Sequence, residues 1–150
     1  MELAGAASPT RGLFMGGANP GVVSRSNVVD FVTIATAGNA QDFGDLSANT
    51  YKGGAAVSSN TRAIHAGGNE PSFVTDMEFV TIATLGNSQD FGNLGAARRN
   101  TNATSSSTRG VISGGYLDPA IKNTMEYIQF GTTGNAIDLK SEVKVRLPLG

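Results

Sequence analysis

Apolar residues in this chain come in short runs cut by glycine pairs and Gly-Asn steps, and the runs recur. The stretch Phe31-Val-Thr-Ile-Ala-Thr-Ala-Gly-Asn-Ala-Gln-Asp-Phe-Gly-Asp-Leu46 returns nearly unchanged, 48 residues on, as Phe79-Val-Thr-Ile-Ala-Thr-Leu-Gly-Asn-Ser-Gln-Asp-Phe-Gly-Asn-Leu94. A weaker third copy, Tyr127-Ile-Gln-Phe-Gly-Thr-Thr-Gly-Asn-Ala136, begins after the same interval. A period of this length marks propellers, solenoids and arrays.

Each unit opens on Thr-Arg, a short apolar run and a glycine pair: Arg11 to Gly16-Gly17, Arg62 to Gly67-Gly68, and Arg109 to Gly114-Gly115. The run is too short for a helix, and paired glycines let the backbone turn through positive φ, so each phrase predicts a strand ending in a turn. Proline-containing segments follow at 18–26, 69–76 and 116–123 and predict loops or wide hairpin connections. Val28–Thr36, Met77–Thr84 and Met125–Phe130 are rich in β-branched and aromatic residues and predict the next strand. After the Gly-Asn turn, Phe43 and Phe91 anchor a last short strand, contracted in the third copy to Ile137-Asp-Leu139. The small, polar stretches 55–60 and 100–107 would be linkers in isolation; inside a repeat they predict strands where side-chain room is scarce.

The expectation is an all-β chain, a single repeat domain over 1–150. Its three four-stranded antiparallel units cover about 2–46, 54–94 and 101–139, with a further strand at 143–149. Such units bury their faces by stacking, as the blades of a β-propeller do; a β-sandwich, which gives successive hairpins different surroundings, fits strict repetition less well.

Composition narrows the function. Eleven Lys+Arg against 12 Asp+Glu leave no basic field for nucleic acid. No apolar run approaches the roughly 20 residues of a membrane span, and residues 1–10 do not read as a secretory signal. Absent cysteine and a single histidine, His65, leave neither a zinc or copper site nor a Ser-His-Asp arrangement, and the glycine-rich phrases never open a helix as a phosphate loop does. The expectation is a non-enzymatic protein without metal or cofactor.

The arginine, short strand and Gly-Gly, the acidic–aromatic pairs Asp30-Phe31, Glu78-Phe79 and Glu126-Tyr127, and the aromatic shortly before Leu46 or Leu94 resemble the kelch repeat of β-propellers. Phe43 and Phe91 stand where kelch blades commonly carry Trp. Over about 8–140 the phrasing resembles repetitive kelch-like virion proteins of tailed bacteriophages of aquatic bacteria. That resemblance implies a structural or adhesive virion component, such as a tail-fibre segment or capsid decoration, assembled in the host cytoplasm and carried on the extracellular particle.

Positions alike in every copy serve architecture, and positions that differ serve function. Arg11, Arg62, Arg109, the glycine pairs, Phe43 and Phe91 are therefore read as structural. The arginines are expected to pair with Asp30, Glu78 and Glu126 in a repeated salt bridge, rather than to ring a ligand channel. Asp42, Asp90 and Asp138 are expected to cap turns. The divergent connectors supply Asn19, Arg25, Asn69, Glu70, Phe73, Tyr116 and Asp118 as binding candidates. The alternative function is a propeller lectin that grips a host surface glycan through those residues. Three units leave faces unpaired, which predicts self-association, most simply two chains completing a six-bladed ring, or docking onto other virion proteins.

Overall fold

The computed structural model describes residues 3–19, 24–47, 54–70 and 72–139, and their regular elements are all β-strands. Strands β1 (Ala4–Ala7), β2 (Arg11–Met15), β5 (Val28–Thr33) and β6 (Gln41–Asp45) form a first antiparallel sheet in chain order. A second holds β7 (Ala55–Ser58), β8 (Arg62–Ala66), β11 (Asp76–Thr81) and β12 (Gln89–Asn93). A third holds β13 (Asn102–Ser105), β14 (Arg109–Ser113), β17 (Met125–Gln129) and β18 (Ile137–Asp138). The variable segments form small ribbons between second and third strands: β3 (Ala18–Asn19) with β4 (Ser24–Arg25), β9 (Asn69–Glu70) with β10 (Ser72–Phe73), and β15 (Tyr116–Leu117) with β16 (Ala120–Ile121). The expected strand at 143–149 lies outside the described residues.

Local chemistry repeats with the topology. The first hairpin of each sheet turns around a serine hydroxyl: Ser8 accepts the amides of Thr10 and Arg11, Ser59 those of Thr61 and Arg62, and Ser106 those of Thr108 and Arg109. At the far end of the second strand both glycines of each pair have positive φ, 64° and 111° in the first copy, which carries the chain out of the sheet into its ribbon.

Alternation along the strands gives every sheet two faces, and each joint packs one kind against the other. Leu13, Met15, Val29, Phe31 and Phe43 of the first sheet meet Ala63, Val80 and Ile82 of the second. On the second sheet's other face, Ile64, Ala66, Met77, Phe79 and Phe91 meet Ile112, Ile128 and Phe130 of the third. Phe43 and Phe91, expected as anchors, stand edge-on to Phe31 and Phe79 at 5.8 and 6.0 Å between centroids. The first strands lie side by side: Ser58 Oγ donates to the Ala7 carbonyl at 2.7 Å and Ser105 Oγ to the Ser58 carbonyl at 2.9 Å. A groove of about 370 Å³ runs between them, bordered by Ala6, Ala56, Val57, Ala103 and Thr104.

The expected salt bridge between repeated arginines and acids does not form. Arg11 lies opposite Thr33, whereas Asp30 lies opposite Phe14, so the two charges occupy different faces and different ends of one strand pair. Arg11 instead stacks on Phe31 at 4.7 Å and donates to the Ile82 carbonyl of the next sheet at 2.7 Å. Arg62 does the same with Phe79 at 4.6 Å and the Phe130 carbonyl at 2.8 Å. The acids point the other way along the array. Glu78 accepts both the amide and the hydroxyl of Ser47, and Glu126 accepts the Gly95 amide at 2.6 Å. A buried salt bridge joins Glu126 to Arg98, a side chain 1% exposed, at 2.6 Å.

At the outer corner the joint is made by main chain. Gly86 N donates to the Phe43 carbonyl and Gly134 N to the Phe91 carbonyl, while Asn87 and Asn135 side chains accept the Asp45 and Asn93 amides. The Gly-Asn step is thus both a turn and a clip onto the preceding sheet. A Cβ on Gly44 would lie 2.4 Å from the Gly86 carbonyl oxygen, and one on Gly92 2.3 Å from that of Gly134, which is why glycine follows each phenylalanine. Of the expected aspartate caps, Asp90 accepts the Gly92 amide at 3.1 Å.

Gly92→Ala is expected to cost about 2–4 kcal/mol, from overpacking against backbone and a residue forced to φ of 142°. Gly131→Ala serves as its control: a Cβ there meets nothing within 4 Å, and the other copies already carry Ala35 and Ala83. Chemical denaturation of the two variants checks this, and equal losses would contradict it. A second test concerns His65, which is buried on the face turned to the first sheet, where burial lowers its pKa from 6.5 to about 4. Between those values the unfolded chain binds a proton that the folded chain refuses, so stability is complete above 6.5 and falls on acidification, by up to about 3 kcal/mol. Its cross-strand neighbour Glu78, whose carboxyl is pushed up chiefly by burial, shifts stability the opposite way and is kept in both proteins compared. His65→Ile, which copies Ile112 at the matching place of the third sheet, should flatten the loss between pH 7 and 4.5 in paired denaturation series.

Candidate functional site

The second and third ribbons approach each other over a loop that has no counterpart in the repeated phrases. After β12 the chain passes through Gly95–Asn100, where Arg99 forms an isolated bridge with Tyr116, its amide donating to the Tyr116 carbonyl at 3.1 Å and its carbonyl accepting the Tyr116 amide at 2.8 Å. The Arg98 carbonyl accepts the Gly68 amide at 3.0 Å, and a Cβ on Gly67 would lie 2.8 Å from that carbonyl oxygen. Glycine pairs therefore admit the loop as well as turning the strand.

On this support sits an aromatic and charged cluster. Phe73 and Tyr116 meet edge to face at 6.0 Å, and the Arg99 guanidinium lies 5.5 Å from each ring centroid. Tyr116 donates its hydroxyl to Asp118 at 2.8 Å, and holding that proton raises the phenol pKa above its ordinary value. Asn100 adopts the left-handed conformation at φ 54°, and a cis Asp118–Pro119 bond lies in the third ribbon's turn. Beside the cluster opens a cavity of about 400 Å³ lined by Arg99, Asn100, Gly115, Tyr116 and Ile121, with Ile121 67% exposed. Ring faces, an exposed aliphatic group, a guanidinium and a carboxylate suit a neutral or weakly anionic polyhydroxylated ligand: apolar faces stack while the fork and the acid take hydroxyls.

Of the residues expected from divergence, Phe73, Tyr116 and Asp118 come together here. Asn69 stands at the base of the second ribbon, its side-chain oxygen buried with no hydrogen-bond partner among the described residues. The side chains of Asn19 and Glu70 fall outside the described set; Arg25, on the first ribbon, is not among the described residues lining the cavity. Sequence reasoning missed Arg99. Its only signal was membership of Arg98-Arg99, the longest basic cluster, and nothing in the repeats places either residue.

Among the described residues no group of three or more His, Asp or Glu could hold a metal ion, and no helix is long and apolar enough to cross a membrane. Asp118→Asn should bring the Tyr116 phenol back toward about 10, seen as an earlier ionisation of one tyrosine in ultraviolet or NMR titration; an unchanged Tyr116 curve would show that the aspartate does not hold the proton. Comparison with protein-family models and with curated proteins finds no match to this chain.

Proposed function

We propose that this chain is a non-enzymatic structural and adhesive component of a bacteriophage virion, a tail-fibre segment or capsid decoration built from kelch-like propeller blades that present variable ribbons. One observation carries the presenting role. The arginine clamps and main-chain clips between sheets repeat position for position, while the ribbons that project from them share neither sequence nor charge. A rigid frame with divergent ribbons is the arrangement used where a scaffold carries changing contact surfaces. The propeller reading draws support from sheets in simple chain order, from face-to-face packing, and from the neighbouring first strands β1, β7 and β13 around one groove. The virion assignment rests on the phrasing of the repeats.

The second reading, a lectin for host surface glycans, is favoured by the Phe73, Arg99, Tyr116 and Asp118 cluster and its cavity. The two readings meet if adhesion uses that cavity.

Exchange of residues 116–121 for an unrelated turn tests the presenting role. The thermal midpoint should move by only a few degrees while adsorption of the labelled protein to host cells is lost; retained adsorption would overturn it. On a glycan array, selective binding that disappears in Tyr116→Ala would establish the lectin reading, and a blank array with intact adsorption would exclude it.

A further inference from the structure

We propose that a second copy of this chain docks head to tail, the face of the third sheet left open by the described residues closing on that of the first by the apolar, arginine and carboxylate contacts that operate twice inside the chain. The inference rests on the observed joints and is independent of the virion or adhesive role.

Repetition identifies both surfaces. Ile82 and Phe130, 2% and 4% exposed, are buried where each sheet receives its predecessor; Ile34 holds the same place on the first sheet and is 56% exposed. Phe14 is 43% exposed where its counterparts His65 and Ile112 are buried. On the opposite face, Phe43 and Phe91 are buried at 3% and 2%, whereas Leu139, their counterpart in the third sheet, is 39% exposed. Tyr127, matching buried Phe31 and Phe79, is only half-buried.

The polar groups are left open in complementary fashion. Arg109 stacks on Tyr127 at 4.7 Å, as Arg11 and Arg62 stack on their rings, yet it reaches no carbonyl among the described residues. The matching acceptor is the Ile34 carbonyl, equivalent to those of Ile82 and Phe130. The Asp30 carboxylate, at the place of Glu78 and Glu126, accepts no hydrogen bond from the described residues, whereas those two clasp the backbone of the preceding sheet. Among the described residues, one face thus carries the spare donor and the other the matching acceptor and acid. The surfaces differ, so contact is head to tail, and it closes only when a ring is complete. At the outer corner the joint departs from its template, since Lys140 follows Leu139 where glycine follows Phe43 and Phe91.

Sedimentation of the intact chain, of Ile34→Glu, of Leu139→Glu and of their equimolar mixture tests the proposal, with circular dichroism checking that each variant is folded. The wild type should sediment above its 15.4 kDa chain mass. Each variant should fall to a single chain, and the mixture should recover a two-chain species, because each partner keeps the surface the other has lost. Arg109→Ala should weaken association roughly tenfold, the effect of one charge-assisted hydrogen bond. A wild-type monomer overturns the proposal, as does a wild-type oligomer that neither substitution disturbs. A mixture that stays monomeric does the same, since it would show like surfaces pairing with like. Phe14→Glu stands in for Ile34→Glu should that variant not fold.

Discussion

The three sheets cohere because main chain meets main chain at the outer corner of each joint. Apolar side chains fill the space between sheets and supply most of the driving force, but they are non-directional. Register comes from the amide of a turn glycine reaching the carbonyl of Phe43 or Phe91, and from an asparagine side chain accepting the amide two residues further on. The arginine clamp fixes a second point, and the carboxylate of Glu78 or Glu126 a third. Three directional polar contacts around an apolar plane fix how two sheets dock.

That frame explains where variation is tolerated. The ribbons leave the sheets after the glycine pairs, beyond all three contacts, so their sequences are free to change. The loop carrying Arg98 and Arg99 uses this freedom. It places one arginine in a buried pair with Glu126 and the other against Phe73 and Tyr116, joining two ribbons into one concave surface. The single histidine, His65, is held uncharged near neutral pH by burial between sheets.

Much of this was legible in the chain. Repetition located the strands, including the small, polar β7 and β13 that composition alone would assign to linkers. Divergence singled out Phe73, Tyr116 and Asp118. The arginine partner was misjudged because charge recurrence reveals which residues matter and says nothing of register. Strand parity held the answer: Arg11, Leu13 and Met15 share a face with Phe31, and adjacent Asp30 must point away. Arg99 was beyond reach, since it occurs once and its neighbours are brought to it by a non-repeating loop. The ribbons are read from sequence as loops or wide hairpin connections, and the structure pairs them as short antiparallel hairpins.

The clip between sheets has a consequence for descent. Because it is written in peptide groups, glycines and one asparagine, any unit that keeps those residues can follow another without new complementary surfaces having to arise. Unequal recombination could therefore lengthen or shorten such a gene by whole modules, and each product would inherit a working seam at once.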